Sequence, residues 1–503
     1  MFKETFVAKF TRNFLEKLAI DEHYITFVLA CSSILLLSGY LSGLRTVVPL
    51  FLLLILSIYL KLKNLSFSAF LISIFSLQFF TPNKYYALEV IRGSELWLPE
   101  YKNGYWQGYG VNLANIFLFL AAFFVCREIL IKKNGFIKDF KKVLLVFLSL
   151  FLFFFVALFS TLKHSPFMDF SLVWLAQYMQ IIITSFLCVY HFLIRKKKFD
   201  LFFTIIWFSI FFQFILSVWQ FLSQSAVGLP IESVRGTSFA RGLDENNAVF
   251  RVAGSLLFHN QLGLISLIYL ILYLPVAFKK QRKRDWLAVM AAMAVIVLTQ
   301  SRSVWLAMFV VGILVFKKYQ QQIKKLLNKI GLRRVMIYSL SIFAALSYVI
   351  VPRIMLSLNA PYEGAGIPIR IKLLKEGMEA LIQNLWLGYG VGTNEITLFS
   401  MFPDGVMRVF PTVVHFALVQ LTLEVGLIGV FFFIFPFFYI LRKNINYLLQ
   451  SGIKKQLNYF FTFALGILAF FIYYLFLPHI GIVEFAYLGI VLGFGLISLY
   501  DMD

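Results

Sequence analysis

Hydrophobic positions in this chain fill long unbroken runs, and the polar stretches between them are short and mostly basic. Runs near 25–41, 47–60, 65–80, 111–127, 143–160, 172–194, 200–222, 256–278, 286–300, 303–316, 335–351, 413–440, 457–477 and 482–499 reach or approach the length a helix needs to cross about 30 Å of hydrocarbon. Fourteen spans follow if every run crosses, and twelve if a short pair is re-entrant. The expected fold class is all-α: a polytopic integral membrane protein of about 12–14 transmembrane helices with one large extracytoplasmic loop, 352–412.

Composition points the same way. The 503 residues are 60% hydrophobic and 14% charged, against about 45–50% and about 25% in soluble domains. Phenylalanine-rich runs such as Phe151–Phe155 and Phe431–Phe438 exceed the length of core strands.

The formal charge of +22 raises the question of nucleic acid, and placement answers it. Walking the path alternately puts every lysine-rich connection on one side, together with both termini. The stretches before Tyr24 and at 61–63, 127–142, 195–198, 279–284, 317–334 and 442–455 hold 32 of the 46 Lys and Arg residues, with ten acids on that side. The whole excess is then cytoplasmic and the remainder of the chain is neutral, which is a topology signal. No nucleic-acid partner is expected. Met1–His23 lacks the apolar segment and cleavage site of a secretory signal, so no removal is expected. Cys31, Cys126 and Cys188 lie in or beside apolar spans without metal-type spacing, and are expected to be inert buried thiols.

Four connections on the other side have substance: 81–110, 161–171, 223–255 and 352–412. The last is the one sizeable extramembrane segment. Within it Pro368–Gln383 has helical apolar spacing at Ile371, Leu374, Met378 and Leu381, and Gly388–Gly392 ends the pattern. Three regions are expected: N-terminal membrane helices over 1–222, a catalytic membrane region over 223–440 that includes the loop, and C-terminal membrane helices over 441–503. No phosphate loop ending in Gly-Lys-Ser/Thr is present, so ATP hydrolysis is not expected. Chemistry belongs to the outer leaflet and draws on a substrate that is already activated.

The most expensive residue is Arg302, in Thr299-Gln300-Ser301-Arg302-Ser303, midway between two lysine clusters. Each flanking leg has roughly fifteen apolar residues and rises on the order of 22 Å, so the tip is expected at or below the outer interface, with Arg302 poorly solvated. A charge there normally has an anionic partner; the bland alternative is a side chain reaching lipid headgroups. Arg251 is the second candidate, sharing its loop with Arg235, Arg241, Glu232, Asp244 and Glu245, where a structural ion pair is an equal reading. Non-cytoplasmic cations comprise nine Arg and five Lys, and the planar guanidinium suits phosphate oxygens. His415, at the outward start of the span 413–440, titrates in a range that suits general-base work, or anchors an interface. Glu424 lies nine residues on, on the opposite side of a continuous helix, and reads as a separate structural acid. Arg370, Arg408, Glu376 and Glu379 are lesser candidates in the loop. The remaining histidines form no metal-type cluster, so neither metal nor other cofactor is expected.

These pieces resemble the bacterial O-antigen ligase and polymerase superfamily. Thr299–Leu306 is similar to its Arg-x3-Leu motif, and Arg251–Gly263 to its Arg-x-x-Gly segment before an Asn-x-Leu helix start. Arg370–Gly392 resembles its outward loop ending in Gly-x-Gly-Val-Gly. His415, nine residues from Ala417 to Val425, and then Gly426-Leu427-Ile428-Gly429 resemble its His-(Asn/Ser/Gln)-x9-Gly-x-x-Gly signature, with Phe416 in place of the polar residue. The resemblance covers roughly 235–430.

It implies a glycosyltransferase of the bacterial inner membrane, both termini cytoplasmic. The donor would be an undecaprenyl-diphosphate-linked glycan, and the acceptor a hydroxyl on a glycan or on the lipid A core. Arg251 and Arg302 would hold the diphosphate without a metal, and His415 would take the acceptor proton in a single inverting displacement. Membrane lipids are the other partners. A polymerase that keeps its product lipid-linked is the nearest alternative. A polysaccharide or lipid transporter is the alternative from another class, although matching halves and midplane charges are not evident.

Overall fold

A computed structural model describes residues 44–78, 113–132, 140–225, 250–330, 367–409, 414–451, 457–477 and 482–500, apart from isolated positions, and a few residues outside these stretches. The membrane helices are α1 (Leu44–Leu62), α2 (Leu65–Ser76), α3 (Leu113–Lys132), α4 (Leu144–His164), α5 (Met168–Cys188), α6 (Phe199–Ser223), α7 (His259–Lys280), α8 (Lys283–Leu298) and α9 (Arg302–Ile330). Three helices outside that series follow, α10 (Ile367–Gln383), α11 (Asn394–Met401) and α12 (Val406–Val409). The chain then returns through α13 (Ala417–Ser451), α14 (Leu457–Tyr474) and α15 (Ile482–Tyr500).

Among the described residues no strand forms, and the fold is all-α. Seven helices there are long and apolar enough to cross a membrane, and four shorter apolar helices accompany them. The protein is a multi-pass membrane protein. The runs 25–41 and 335–351 lie largely outside the described residues; each of the other twelve predicted runs coincides with a helix.

Burial sorts these helices into an inner and an outer set. In α7, 83% of the apolar window is buried inside the protein, against 28% in α9, so α7 is the central post and α9 faces outward. Packing around the post uses small residues, as lipid-embedded helices require. A side chain on Gly489 of α15 would come within 2.9 Å of the Ile181 carbonyl on α5, and one on Gly493 within 2.5 Å of Cys188. At the lysine-rich end, Asp285 closes the α7–α8 hairpin: it is fully buried, paired with Arg282 at 2.8 Å and accepting from Tyr273 at 2.8 Å.

Two expectations, for Cys126 and for the extent of α9, are corrected. Cys126 is exposed on α3 rather than buried, because that face of α3 points away from the bundle; Cys188 is buried as expected, and Cys31 lies outside the described residues. Helix α10 buries Leu373, Ala380 and Leu381 but exposes Ile371 and Met378. Leu374 and Leu381 of the apolar spacing thus pack inward, beside Gly377, which allows α10 to approach Val414, Val419 and Leu423 closely. Helix α9 runs 29 residues, well beyond its apolar part, since Lys and Gln continue a helix readily past a hydrophobic segment. It breaks at Tyr319.

Candidate active site

The residues singled out at sequence level gather at the end of the bundle opposite the Asp285 clamp. The segment carrying Arg251 runs from Phe250 to Ser255 without helical structure and is held by amide side chains of α6. Gln220 accepts from the Ala253 and Gly254 amides at 3.2 and 2.8 Å, and donates to the Gly254 carbonyl at 2.9 Å. Gln213, two helical turns earlier on the same face, accepts from the Ser255 amide at 3.2 Å and donates to the Ser255 hydroxyl at 2.7 Å. Backbone groups that no helix satisfies are thus satisfied by two buried carboxamides.

The hairpin between α8 and α9 meets this segment directly. Gln300, in a left-handed conformation at φ 52°, donates to the Phe250 carbonyl at 3.2 Å. Gly263 of α7 lies so close to Thr299 and Val304 that an added side chain would approach each to 3.0 Å. Arg251 and Arg302 therefore stand on two backbone segments fastened to each other. Arg251 donates to His259 Nε2 at 2.9 Å; guanidinium only donates, so the imidazole accepts there.

Arg302 points out of the bundle while its neighbours point in. Thr299, Gln300 and Ser301 are buried, but the Arg302 side chain opens α9 and is exposed. The reason is local: the left-handed turn at Gln300 directs residues 299–301 inward and starts the next helix facing out. Arg370, in the first turn of α10, is half-buried. Burial lowers its proton affinity, and the neighbouring Arg302 charge lowers it further. The loop helix thus brings a second guanidinium within reach of Arg302's field.

The remaining loop candidates separate. Glu376 accepts from the Val406 amide at 2.9 Å and so ties α10 to α12. Glu379 is exposed on α10. Arg408 lies in α12, and its side chain is outside the described set, as are Arg235, Arg241, Glu232, Asp244 and Glu245. Residues of α10 to α12 share a small core of their own, Leu373, Ala380, Leu381, Leu398 and Met407, with Val414 just before α13 and Val419 and Leu423 from its start.

His415 is half-buried and precedes α13, which starts at Ala417. The helical-wheel separation of His415 from Glu424 therefore does not apply. Glu424 is buried at 3% exposure and accepts from Gln420 at 3.2 Å and from Asn394 of α11 at 3.4 Å. The same Asn394 accepts from the Val414 amide at 3.4 Å. A small cavity beside Glu424 is lined by Trp174, Tyr178, Gly392, Ala417, Gln420 and Leu421.

Two residues beyond Glu424 the helix breaks, at Gly426 (φ 66°, ψ 177°). An unbroken helix would bond the Leu427 and Ile428 amides to the Leu423 and Glu424 carbonyls. Instead residues 385–390 of the loop cross the break as a strap. Tyr389 and Gly390 donate to the Leu423 and Glu424 carbonyls at 2.7 and 2.9 Å, while Leu427 and Ile428 donate to the Leu385 and Trp386 carbonyls at 2.9 and 3.4 Å. Helix α4 supports the crossing: Ser160 donates to the Glu424 carbonyl at 3.0 Å, and Thr161 accepts from the Val391 amide at 3.1 Å.

Residues 286–434, from α8 through the break in α13, match the family model described as O-antigen ligase. That match supports a place for this region in the O-antigen ligase and polymerase superfamily. No curated protein matches the chain. The matched stretch contains Arg302, Arg370, Arg408 and His415, whereas Arg251 precedes it. The match supports a membrane glycan-processing role of the O-antigen ligase or polymerase type, with lipid-linked glycan and acceptor as the implied substrate classes.

Sequence reasoning overlooked His259, Asn394, Gln300 and the Gln213–Gln220 pair. The pair had a readable signal, two amides seven residues apart in an otherwise apolar helix. Asn394 had none, because its partners come from two other segments.

Proposed function

We propose that the protein is a glycosyltransferase of the O-antigen ligase type, moving a glycan from undecaprenyl diphosphate to an acceptor hydroxyl at the outer face of the bacterial inner membrane, with both termini cytoplasmic. The observation that carries this reading is the bond from Gln300 to the Phe250 carbonyl, which makes the Arg251 and Arg302 segments one unit. Paired guanidiniums on rigid backbone suit a diphosphate whose charge grows as the glycosidic bond breaks. In this reading Arg251 and Arg302 hold the leaving group in place of a metal. Arg370 and Arg408 contact the donor from the loop, and Glu376 and Glu379 shape its outer side.

His415 takes the proton of the acceptor hydroxyl as its oxygen attacks the anomeric carbon. The bond to the diphosphate oxygen breaks in the same step, inverting the configuration. The strap at residues 385–390 keeps the loop seated over this chemistry. The acceptor is a glycan or the lipid A core, and the site lies within reach of membrane lipids.

The test is release of undecaprenyl diphosphate from a lipid-linked oligosaccharide by the purified protein in nanodiscs, without added metal and with lipid A core as acceptor. Acceptor-dependent release that falls at least about 100-fold in Arg302→Ala is expected, the size of effect that removing one transition-state donor produces. Undiminished release in the variant would remove Arg302 from the site. Products that lengthen while still lipid-linked would assign polymerase rather than ligase activity.

A further inference from the structure

We infer that Glu424 is a positioning residue that fixes His415 by way of Asn394. The inference rests on the reading of His415 as the base. An acid within a membrane helix is costly and normally faces the bundle interior or a cavity, where it has a task. Glu424 does face inward, onto the cavity between α5, α13 and the loop. Its backbone carbonyl anchors the strap through Gly390 and Ser160, and its carboxyl group takes hydrogen bonds from the Gly392 backbone, Gln420 and Asn394.

Its task follows from donor and acceptor identities. The Asn394 carboxamide turns its NH2 toward Glu424, donating to it at 3.4 Å. The carbonyl oxygen of Asn394 is left facing the Val414 amide, 3.4 Å away, and this is the peptide unit immediately before His415. Gln420, one turn before Glu424, donates to the same carboxylate oxygen at 3.2 Å and holds the acid in place. Residue 415 lies outside α13, and the chain of contacts from Glu424 through Asn394 to Val414 reaches the peptide that leads into it. These contacts are long, as catalytic contacts commonly are before substrate closes a site.

The pair can be inverted without changing total charge. In Asn394→Asp two carboxylates face each other and the donor is lost. In the double variant Asn394→Asp/Glu424→Gln, the amide at 424 donates to the acid at 394, whose other oxygen still accepts from Val414. The experiment measures kcat and KM for undecaprenyl diphosphate release, per monodisperse full-length enzyme, with a lipid-linked oligosaccharide and lipid A core. Asn394→Asp is expected to lower kcat about 10- to 100-fold, the scale set by small misplacements of a reacting group, with donor KM within about 2-fold. The double variant should recover to within about 3-fold of wild type, and in a His415→Ala background Asn394→Asp should cost less than about 2-fold more, since coupled residues are not additive.

An undiminished kcat in Asn394→Asp, no recovery in the double variant, or a full additional loss without His415 would each overturn the positioning role. Full activity in His415→Ala alone would instead remove the base reading, and the inference with it.

Discussion

Two segments at the site end of the bundle leave helical structure, and they are held in opposite ways. At Gly254 (φ 56°) the unpaired backbone is satisfied by side chains, Gln213 and Gln220, projecting from one neighbouring helix. At Gly426 it is satisfied by the backbone of a distant loop, four hydrogen bonds exchanged with residues 385–390. Both meet the requirement that no amide or carbonyl be left bare at membrane depth. The side-chain solution is local to the bundle and needs nothing from outside it. The backbone solution makes the integrity of a membrane helix depend on a loop, so seating the loop and completing α13 are one event.

The comparison breaks first at the glycines. A methyl group on Gly426 would lie 2.1 Å from the Trp386 carbonyl, a backbone atom that cannot move without undoing the strap. On Gly254 it would lie 2.1 Å from the Gln213 carboxamide oxygen, the far end of a flexible side chain. Gly426→Ala should therefore cost about 3 kcal/mol or more, from overpacking added to the left-handed backbone. Gly254→Ala should cost about half that, since part of the clash relaxes by side-chain rotation. Thermal unfolding of the two variants in detergent tests the order. Equal losses would show that the strap yields as easily as a side chain.

Gln220→Leu comes next. It strips partners from the Ala253 and Gly254 amides and the Gly254 carbonyl, with an expected loss of about 2 kcal/mol by the cost of buried unpaired groups. Because the segment also carries Arg251, donor KM should rise while stability at the strap is unaffected. Protease sensitivity confined to residues near 250 would show the damage to be local. Cleavage in the loop would show that the two departures are coupled.

The smallest effect is expected from Ser160→Ala. The Glu424 carbonyl loses the serine hydroxyl but keeps the Gly390 amide, so about 1 kcal/mol is at stake. A loss as large as that of Gly426→Ala would mean that α4, rather than the loop, holds the break closed.

Much of this molecule was legible before any coordinates. Twelve runs of apolar residues became twelve helices because a bilayer leaves the backbone few other choices, and length and hydropathy suffice to state the outcome. Arg251, Arg302 and His415 stood out for a related reason: charge and titratable groups beside hydrocarbon are costly, so their presence asks for an explanation. The spacing of α10 did not announce its packed face, which is centred on Gly377 and Ala380, where α10 comes close to the start of α13. Arg302 was singled out by its turn, but the direction of its side chain out of the bundle was not legible. A single left-handed residue, Gln300, decides the direction, and nothing in its identity announces that conformation.

The sequence by itself therefore determined the class of protein, where its apolar helices lie along the chain and which charged residues stand beside hydrocarbon, since each follows from transfer energies of individual segments. Only the tertiary structure decided which pieces meet. That Gln300 reaches Phe250, that a loop fills the break at Gly426, and that Asn394 stands between Glu424 and Val414 depend on hydrogen bonds between groups from 20 to 50 residues apart. Backbone amides and carbonyls make most of those contacts, and they are chemically the same at nearly every position, so their pairing cannot be read from residue identity.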